Sequence, residues 1–500
     1  MSLEQTNAAP EPQSQAPKRL FALKTLHDAF TAASPRISPR AAPWISSCIH
    51  VAVIVLWIAL FSCAFVSGGV LAWSAGIAYV AYDTFLLFFV TWHTLALFRS
   101  ASVREHDDKR PVTLGVIVAA HNEAAVLSVT LKALLEQTRV PEQIVIADDG
   151  SSDDTAYVLE HRFGLEAPRV GEMSAPGSGA PNLRWLRLPH GGKAQALNEA
   201  MTCIDTDVVL TIDADTLLDQ HAIAAMQAAF AASPKLVAAG GILAPISGRS
   251  FSGRFFQWFQ TYEYIRNFVS RFAWMQVDSL LLISGAFAAF RRDAVLAVGG
   301  FDAACLVEDY ELIHRLRRYS VERGLGWEVH IVGNAKAITD APATLMAFLR
   351  QRRRWFAGFL QTQYMNRDMT GNSRFGMLGR LMMPVKAIDT LQPIYGLTAF
   401  VLLLDFLMTG RLHIVGPVLT IIVVKIVIDL AFHFWSIYLY RRWTGDQATA
   451  NLWHAFLASI VEPFSFQLMR HAGAAWGWLY FLTGRRHWGR QLRTGLVSGG

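Results

Sequence analysis

Residues 44–66 are apolar and nearly uncharged, a run as long as the roughly 20 residues that a membrane-spanning helix needs. Nothing else in the chain limits the fold so strongly. Ser67-Gly68-Gly69 supplies a turn, and residues 70–98 read as a second span. Lys18, Arg19, Lys24, Arg36 and Arg40 precede the pair, while Arg99, Arg104, Lys109 and Arg110 follow it. Basic residues gather on the cytoplasmic side of a bilayer, so both flanks, and the region that follows, are expected in the cytosol. Residues 391–408 and 412–440 read as two further spans. Residues 451–482 are apolar but carry Glu462, Arg470 and His471. They form either a polar-lined span or a re-entrant or interfacial segment. The tail over 483–500 contains Arg485, Arg486, Arg490 and Arg493 and is expected in the cytosol, which a simple fifth span would not allow.

Composition agrees with a membrane protein. Apolar residues make up 53% of the 500 and charged residues only 17%, away from soluble averages. The net charge of +6 is explained by residues flanking apolar segments, so nucleic-acid binding is not indicated. Cys48, Cys63, Cys203 and Cys305 are scattered and form no Cys-x-x-Cys motif, which argues against a zinc site or a disulfide framework. Residues 1–43, rich in Ala, Pro, Ser and Gln, read as a disordered cytosolic tail rather than a cleaved signal.

Between 111 and 340 the pattern changes. Short β-branched runs at 113–119, 143–147, 183–188 and 208–212 alternate with helical stretches at 124–137, 155–161 and 193–203. That alternation predicts an α/β domain with a parallel sheet, whose ligands belong at the carboxyl ends of the strands. The Gly/Pro-rich stretch 164–181 reads as a loop. Residues 343–364 place apolar and aromatic side chains at helical spacing around Arg350 to Arg354, so 341–390 is expected to hold amphipathic helices at the membrane surface.

The chemistry-bearing residues cluster at the strand ends. Ala119-Ala120-His121-Asn122-Glu123 closes the first strand and Asp148-Asp149-Gly150-Ser151 the second. These are either caps and turns or acceptors for a ribose and a base edge. Gly191-Gly192-Lys193 opens a helix, where a lysine can neutralise phosphate. Asp213-Ala214-Asp215 ends an apolar run. Two carboxylates so close repel unless a cation sits between them, and a hard divalent ion suits a departing diphosphate. Glu308-Asp309 opens a helix, partly for the macrodipole; a carboxylate there also suits a general base for a sugar hydroxyl. Ser284-Gly285-Ala286 is either a turn or a close backbone approach to a ligand. Gln351, Arg354 and Trp355 share one helical face. An arginine can clamp a diphosphate and a tryptophan can stack on a sugar, while anchoring to anionic lipid accounts for part of the same basic run. Lys425, Asp429 and His433 recur at i, i+4, i+8 within a span, where charges mark function unless they only neutralise one another. Asp83 and His93 are weaker instances.

In order, Ala120 to Glu123, Asp148 to Ser151, Gly192-Lys193, Asp213 to Asp215, Glu308-Asp309 and Gln351 to Trp355 resemble the membrane-integrated family 2 glycosyltransferases. That group includes cellulose, hyaluronan and poly-N-acetylglucosamine synthases. The resemblance implies a GT-A domain inserted between transmembrane helices, a nucleotide-sugar donor (most often a UDP-sugar), Mg2+ or Mn2+, and a saccharide or lipid-linked acceptor. It implies donor contacts at Ala119, Glu123, Asp149, Lys193 and Asp213. It further implies metal ligation by Asp213 and Asp215, catalysis by Asp309 beside Glu308, and acceptor or diphosphate contacts at Ser284, Gly285, Gln351, Arg354 and Trp355. Val307 and Tyr310 depart from the usual residues around the base. The expected reaction is inverting, processive sugar transfer to a polysaccharide. Single addition to a lipid carrier, or a non-catalytic scaffold or transporter, are the alternatives.

Overall fold

The computed structural model describes residues 16–95, 97, 112–445 and 451–484. The basic clusters at 99–110 and 485–493 lie outside the described residues. Among the described residues, Trp44–Val66, Gly69–Thr94, Leu378–Met408 and Leu412–Thr444 are long and apolar enough to cross a membrane. Only 6% of the most apolar window of the first is buried by the rest of the protein. A helix so apolar and so uncovered requires lipid as its solvent.

The chain opens with helix α1 (Ala16–Ala33), then α2 (Trp44–Val66) and α3 (Ser74–Thr94). Helix α1 corrects the expectation of a tail without structure: Leu26 and Phe30 are buried, and their packing outweighs the local Ala/Ser/Pro composition.

Between the two membrane pairs sits a mixed sheet. Its strands are β1 (Leu114–Ala120), β2 (Gln143–Asp149), β3 (Leu183–Leu188), β4 (Val208–Asp213), β5 (Thr216–Leu218), β6 (Leu236–Ile246), β7 (Phe287–Arg291) and β8 (Glu328–Asp340). Their order is β3-β2-β1-β4-β7-β6-β8-β5. Helices α4 (Ala124–Leu135), α5 (Thr155–Phe163), α6 (Lys193–Cys203), α7 (Ala222–Ala232), α8 (Phe251–Gln276), α9 (Arg292–Ala297) and α10 (Glu308–Arg323) connect the strands.

The half formed by β3, β2, β1 and β4 is parallel, as expected. The other half is mixed, with β6 and β8 paired in parallel. β7 runs antiparallel between β4 and β6, and β5 runs antiparallel to β8. The Phe287-Ala288-Ala289-Phe290 core of β7 is buried on both faces, so its sequence carries no alternation from which direction could be read. Fully buried strand residues such as Ile117 and Leu210 each contribute ~1.5–3 kcal/mol by leaving water.

After β8 come α11 (Leu345–Met365), α12 (Met383–Met408), α13 (Leu412–Thr444), α14 (Leu452–Val461) and α15 (Phe466–Leu482). The third span begins before residue 391, because a π turn at Leu378–Met382 runs into α12 and the helix continues through Pro393. The ambiguous stretch 451–482 is two helices broken by a 3-10 turn at Glu462–Phe464, not a single span. Helix α11 uses part of its basic run internally. Arg352 forms a bidentate pair with buried Glu263, at 2.8 and 2.6 Å. Arg353 stacks on Trp476 and Tyr480.

Candidate active site

Strand register builds the floor of the site. Ala119 lies level with Ala147 of β2 and Asp213 of β4, and Asp149 lies level with Leu188 of β3. The carboxyl ends of four neighbouring strands therefore present their loops on one rim, the place where parallel sheets hold ligands.

At the outer part of that rim, the loops after β1, β2 and β3 are tied together. Asn122 adopts a left-handed φ of 58°, and its side-chain oxygen accepts from Ser152 N at 2.8 Å and Asp153 N at 3.2 Å. Glu123 is buried at the start of α4. The Asp149 carboxylate accepts from Gly191 N at 2.7 Å and from Gly192 N at 3.0 Å. His121 Nδ1 and His190 Nδ1 approach the Asp149 carbonyl at 2.7 and 3.1 Å. The two imidazoles stack with centroids 4.4 Å apart. Gly150 has φ +66°, and a Cβ there would meet His190 N at 2.7 Å, so the turn that seats His190 requires glycine.

The centre of the site is a charge cluster drawn from four distant segments. Lys193 Nζ, at the first position of α6, lies 2.6 Å from Asp213 Oδ1 and 3.4 Å from Glu308 Oε1. It also approaches Gly285 O at 3.4 Å. Burial opposes its charge, but Asp213 and then Glu308 outweigh that, and the ammonium is held above its ordinary range. Burial pushes the Glu308 carboxyl up, against Lys193 and with help from Asp309; Arg354 lowers it. Arg354, near the middle of α11, thus faces the same cluster.

Asp309 Oδ2 accepts from Gly285 N at 2.6 Å, and Oδ1 accepts from Tyr310 N at 2.8 Å. The 284–286 loop is itself pinned beside β4, since Asp213 N donates to Ala286 O at 3.4 Å. Ser284 is half-buried there, and its carbonyl accepts from Phe287 N at 3.0 Å. Asp215 is buried in the tight turn between β4 and β5, where Thr130 Oγ1 donates to Ala214 O at 2.6 Å. Gln351 is buried one turn before Arg354; Trp355 is half-buried, under the Arg352 guanidinium at 4.7 Å.

The residues named from sequence are thus brought into two adjoining groups. Ala119, Glu123 and Asp149 line the outer rim, and Lys193, Asp213, Ser284, Gly285, Glu308, Asp309 and Arg354 the centre, with Asp215 buried in the turn that follows Asp213. Gln351 and Trp355 belong to the helix beneath.

Sequence reasoning did not assign His121, His190, Glu263 or Arg271. His121 and His190 lie inside or beside motifs already singled out. Glu263 and Arg271 sit on α8, an aromatic helix with no local signal. Burial lowers the Arg271 pKa to about 10, against the pull of Tyr264 and Asp309.

Two groups could hold a metal. Asp213 and Asp215 form a carboxylate-only donor set, and the Asp213 side chain retains 27% exposure toward the cleft. That set fits a hard ion such as Mg2+ or Mn2+. His121, Asp149 and His190 offer ligand atoms within 4.8 Å of one another. A softer ion there would compete with the glycine amides already bound to Asp149.

Comparison with known proteins defines the class first. A mannosyltransferase from Pyrobaculum calidifontis, solved in complex with GDP-mannose and Mn2+, superposes with a TM-score of 0.53. It covers 79% of this chain and 99% of its own at 18% identity, so the shared feature is the GT-A fold. The family profile described as "Glycosyltransferase like family 2" matches residues 111–358. The chain thus carries a region similar to that family. Similar curated proteins include poly-beta-1,6-N-acetyl-D-glucosamine synthases of Staphylococcus epidermidis, 27% identical over 257 residues, and Staphylococcus aureus, 28% over 252. Those alignments cover 49% and 48% of this chain. The chain spans about half the length of the curated relatives it matches, 54% and 53%.

Proposed function

We propose that the protein is an inverting, metal-dependent transferase that moves a sugar from a nucleotide sugar, in the first instance a UDP-sugar, to a growing polysaccharide at the cytosolic face of the inner membrane. The observation that carries this reading is the cluster in which Asp309, held at 2.6 Å by Gly285 N, stands beside the Lys193–Asp213 pair at 2.6 Å. A proton acceptor and diphosphate-binding groups then share one cleft.

In this reading Asp149 and Glu123 bind the nucleoside. Asp309 takes the proton from the acceptor hydroxyl, whose oxygen bonds to the anomeric carbon as the sugar–phosphate bond breaks and its electron pair leaves with the nucleoside diphosphate. Lys193 and Arg354 offset the charge on that diphosphate. Asp213 and Asp215 would hold the divalent ion, which supplies Lewis-acid stabilisation of the leaving group. Trp355 and Gln351 position the acceptor.

A largely apolar cavity of about 320 Å³ between α3, α8, α12, α13 and α15, with Asp83, Arg266, Lys425, Asp429 and Glu462 among its lining, supports polymer passage. Lys425 Nζ lies 2.7 Å from Asp83 Oδ2 there and also contacts Asp429. Intramembrane charges that line a cavity mark a route for a polar substrate. The synthase names of the staphylococcal relatives make UDP-N-acetylglucosamine the first donor to test.

The test is purified protein in lipid nanodiscs, offered a panel of nucleotide sugars with and without Mg2+ or Mn2+, with sizing of the product. A ladder of long products and metal-dependent release of nucleoside diphosphate are expected. Asp309→Asn should abolish transfer while still binding the nucleotide. A single uniform glycolipid would refute the polymer reading, and turnover by Asp309→Asn at the parental rate would refute the base.

A further inference from the structure

The segment that leads into Glu308-Asp309 is a meeting point for three parts of the molecule. Phe301 N donates to Asn198 Oδ1 at 2.7 Å, and Asn198 Nδ2 returns a bond to Phe301 O at 2.8 Å. This ties the segment to α6, the helix that begins at Lys193. Leu306 N donates to Gln361 Oε1 at 3.1 Å, and Gln361 Nε2 donates to Ala304 O at 3.0 Å. This ties it to α11, which carries Gln351, Arg354 and Trp355.

The third tie comes from the amino-terminal arm. Arg36 grips Asp302 with two parallel bonds, Nε to Oδ2 at 2.7 Å and Nη2 to Oδ1 at 2.8 Å. The Asp302 side chain is 1% exposed, and its Oδ1 also accepts from Ala304 N at 2.9 Å. Bidentate arginine–carboxylate geometry fixes direction as well as distance.

The arm is seated by more than that pair. Phe30 lies between the guanidinium groups of Arg36 and Arg315, at 5.4 and 4.7 Å. Arg315 is fully buried and binds Glu311, two residues beyond Asp309, at 2.9 and 2.6 Å. It also donates to Gly300 O at 2.6 Å. A Cβ on Gly299 would meet Phe30 N at 2.1 Å, so arm and loop touch backbone to backbone. Arg40 reaches Glu322 near the far end of α10 at 3.6 Å, and the arm then enters the span that begins at Trp44.

We propose that the amino-terminal arm, through Arg36 and Phe30, is a positioning element for sugar transfer: it holds the 301–307 segment so that Asp309 meets Gly285. The arm touches neither donor nor acceptor. It joins the first membrane helix to the segment that sets the base, so the base is referenced to the membrane as well as to the sheet. This rests on the reading of Asp309 as the base.

The test is the steady-state kinetics of full-length Arg36→Ala in nanodiscs, with Arg36→Lys and Asp309→Asn alongside and calorimetric binding of UDP. Arg36→Ala should lower kcat by about ten-fold or more, as small misplacements of a reacting group do, with donor KM and UDP affinity within about two-fold of the parent. Arg36→Lys should recover part of the loss. The Arg36→Ala/Asp302→Asn double variant should lose no more than the worse single, because the two act as one unit. Unchanged kcat in Arg36→Ala overturns the proposal. So does a matched loss of kcat and UDP affinity with a lowered Tm, which would mark a merely structural role. If Asp309→Asn itself remains active, the assignment of the base fails instead, and the two failures are told apart.

Discussion

Gly285→Ala is the sharpest probe of the site. A methyl group at this position would stand 2.8 Å from Asp309 Oδ2, 3.0 Å from its Cβ and 3.1 Å from its Cγ. Ordinary carbon–oxygen contact begins near ~3.4 Å, so the carboxylate must retreat by roughly 0.6 Å or the 284–286 loop must move by as much. Either movement lengthens the 2.6 Å bond from Gly285 N to Oδ2. A shift of that size at a reacting group lowers turnover by about 10- to 100-fold, or ~1.4–2.7 kcal/mol of barrier. Gly285 does not have the positive φ that demands glycine. The backbone angle accepts alanine, so what must give is the Asp309 side chain rather than the fold. The assay is release of nucleoside diphosphate under saturating donor, paired with thermal unfolding in the same nanodiscs. The reasoning predicts a large fall in kcat with Tm nearly unchanged. Parental kcat in a folded Gly285→Ala enzyme would mean that the Asp309 carboxylate is not the group that matters.

Other predictions follow from the same geometry. Glu263→Gln leaves the Arg352 guanidinium buried without its carboxylate and should destabilise the protein by ~3–5 kcal/mol, read by denaturant or thermal unfolding; an unchanged midpoint would show that the pair is solvated. Lys425→Met leaves Asp83 and Asp429 facing each other in the membrane cavity. Donor turnover should persist while product length shortens, and an unaltered size distribution would remove the cavity from the polymer's route. His314 is buried in α10, and burial lowers its pKa from 6.5 to about 4. The unfolded chain gains that proton as pH falls through 6.5, whereas the folded protein does so only near 4. Stability should therefore drop by about 3 kcal/mol across that window, at ~1.4 kcal/mol per unit. His314→Gln should flatten the slope, and a parental slope in that variant would assign it to other groups.

The motifs were legible in the sequence wherever chemistry is local. Asp213-Ala214-Asp215 sits at a strand end because the apolar run of β4 stops there, and Lys193 opens a helix because two glycines break the chain just before it. What escaped were contacts that local pattern does not encode. Glu263 and Arg271 lie on a helix whose aromatic residues conceal its charges. The direction of β7 was hidden by burial on both faces. The order of 16–33 was hidden by a composition that suggests none, because the partners that stabilise it, Gly299, Gly300 and Arg315, lie far along the chain.

By itself, then, the sequence determined the membrane segments, the strand–helix alternation and the identity of the charged groups, because length, hydropathy and period act over a few tens of residues. Only the tertiary structure decided that Lys193, Asp213, Gly285 and Asp309 share one cleft, and that Arg36 reaches the loop before the base. Those contacts join residues that distance along the chain separates, and strand register and buried ion pairs, not local preference, set the distances between them.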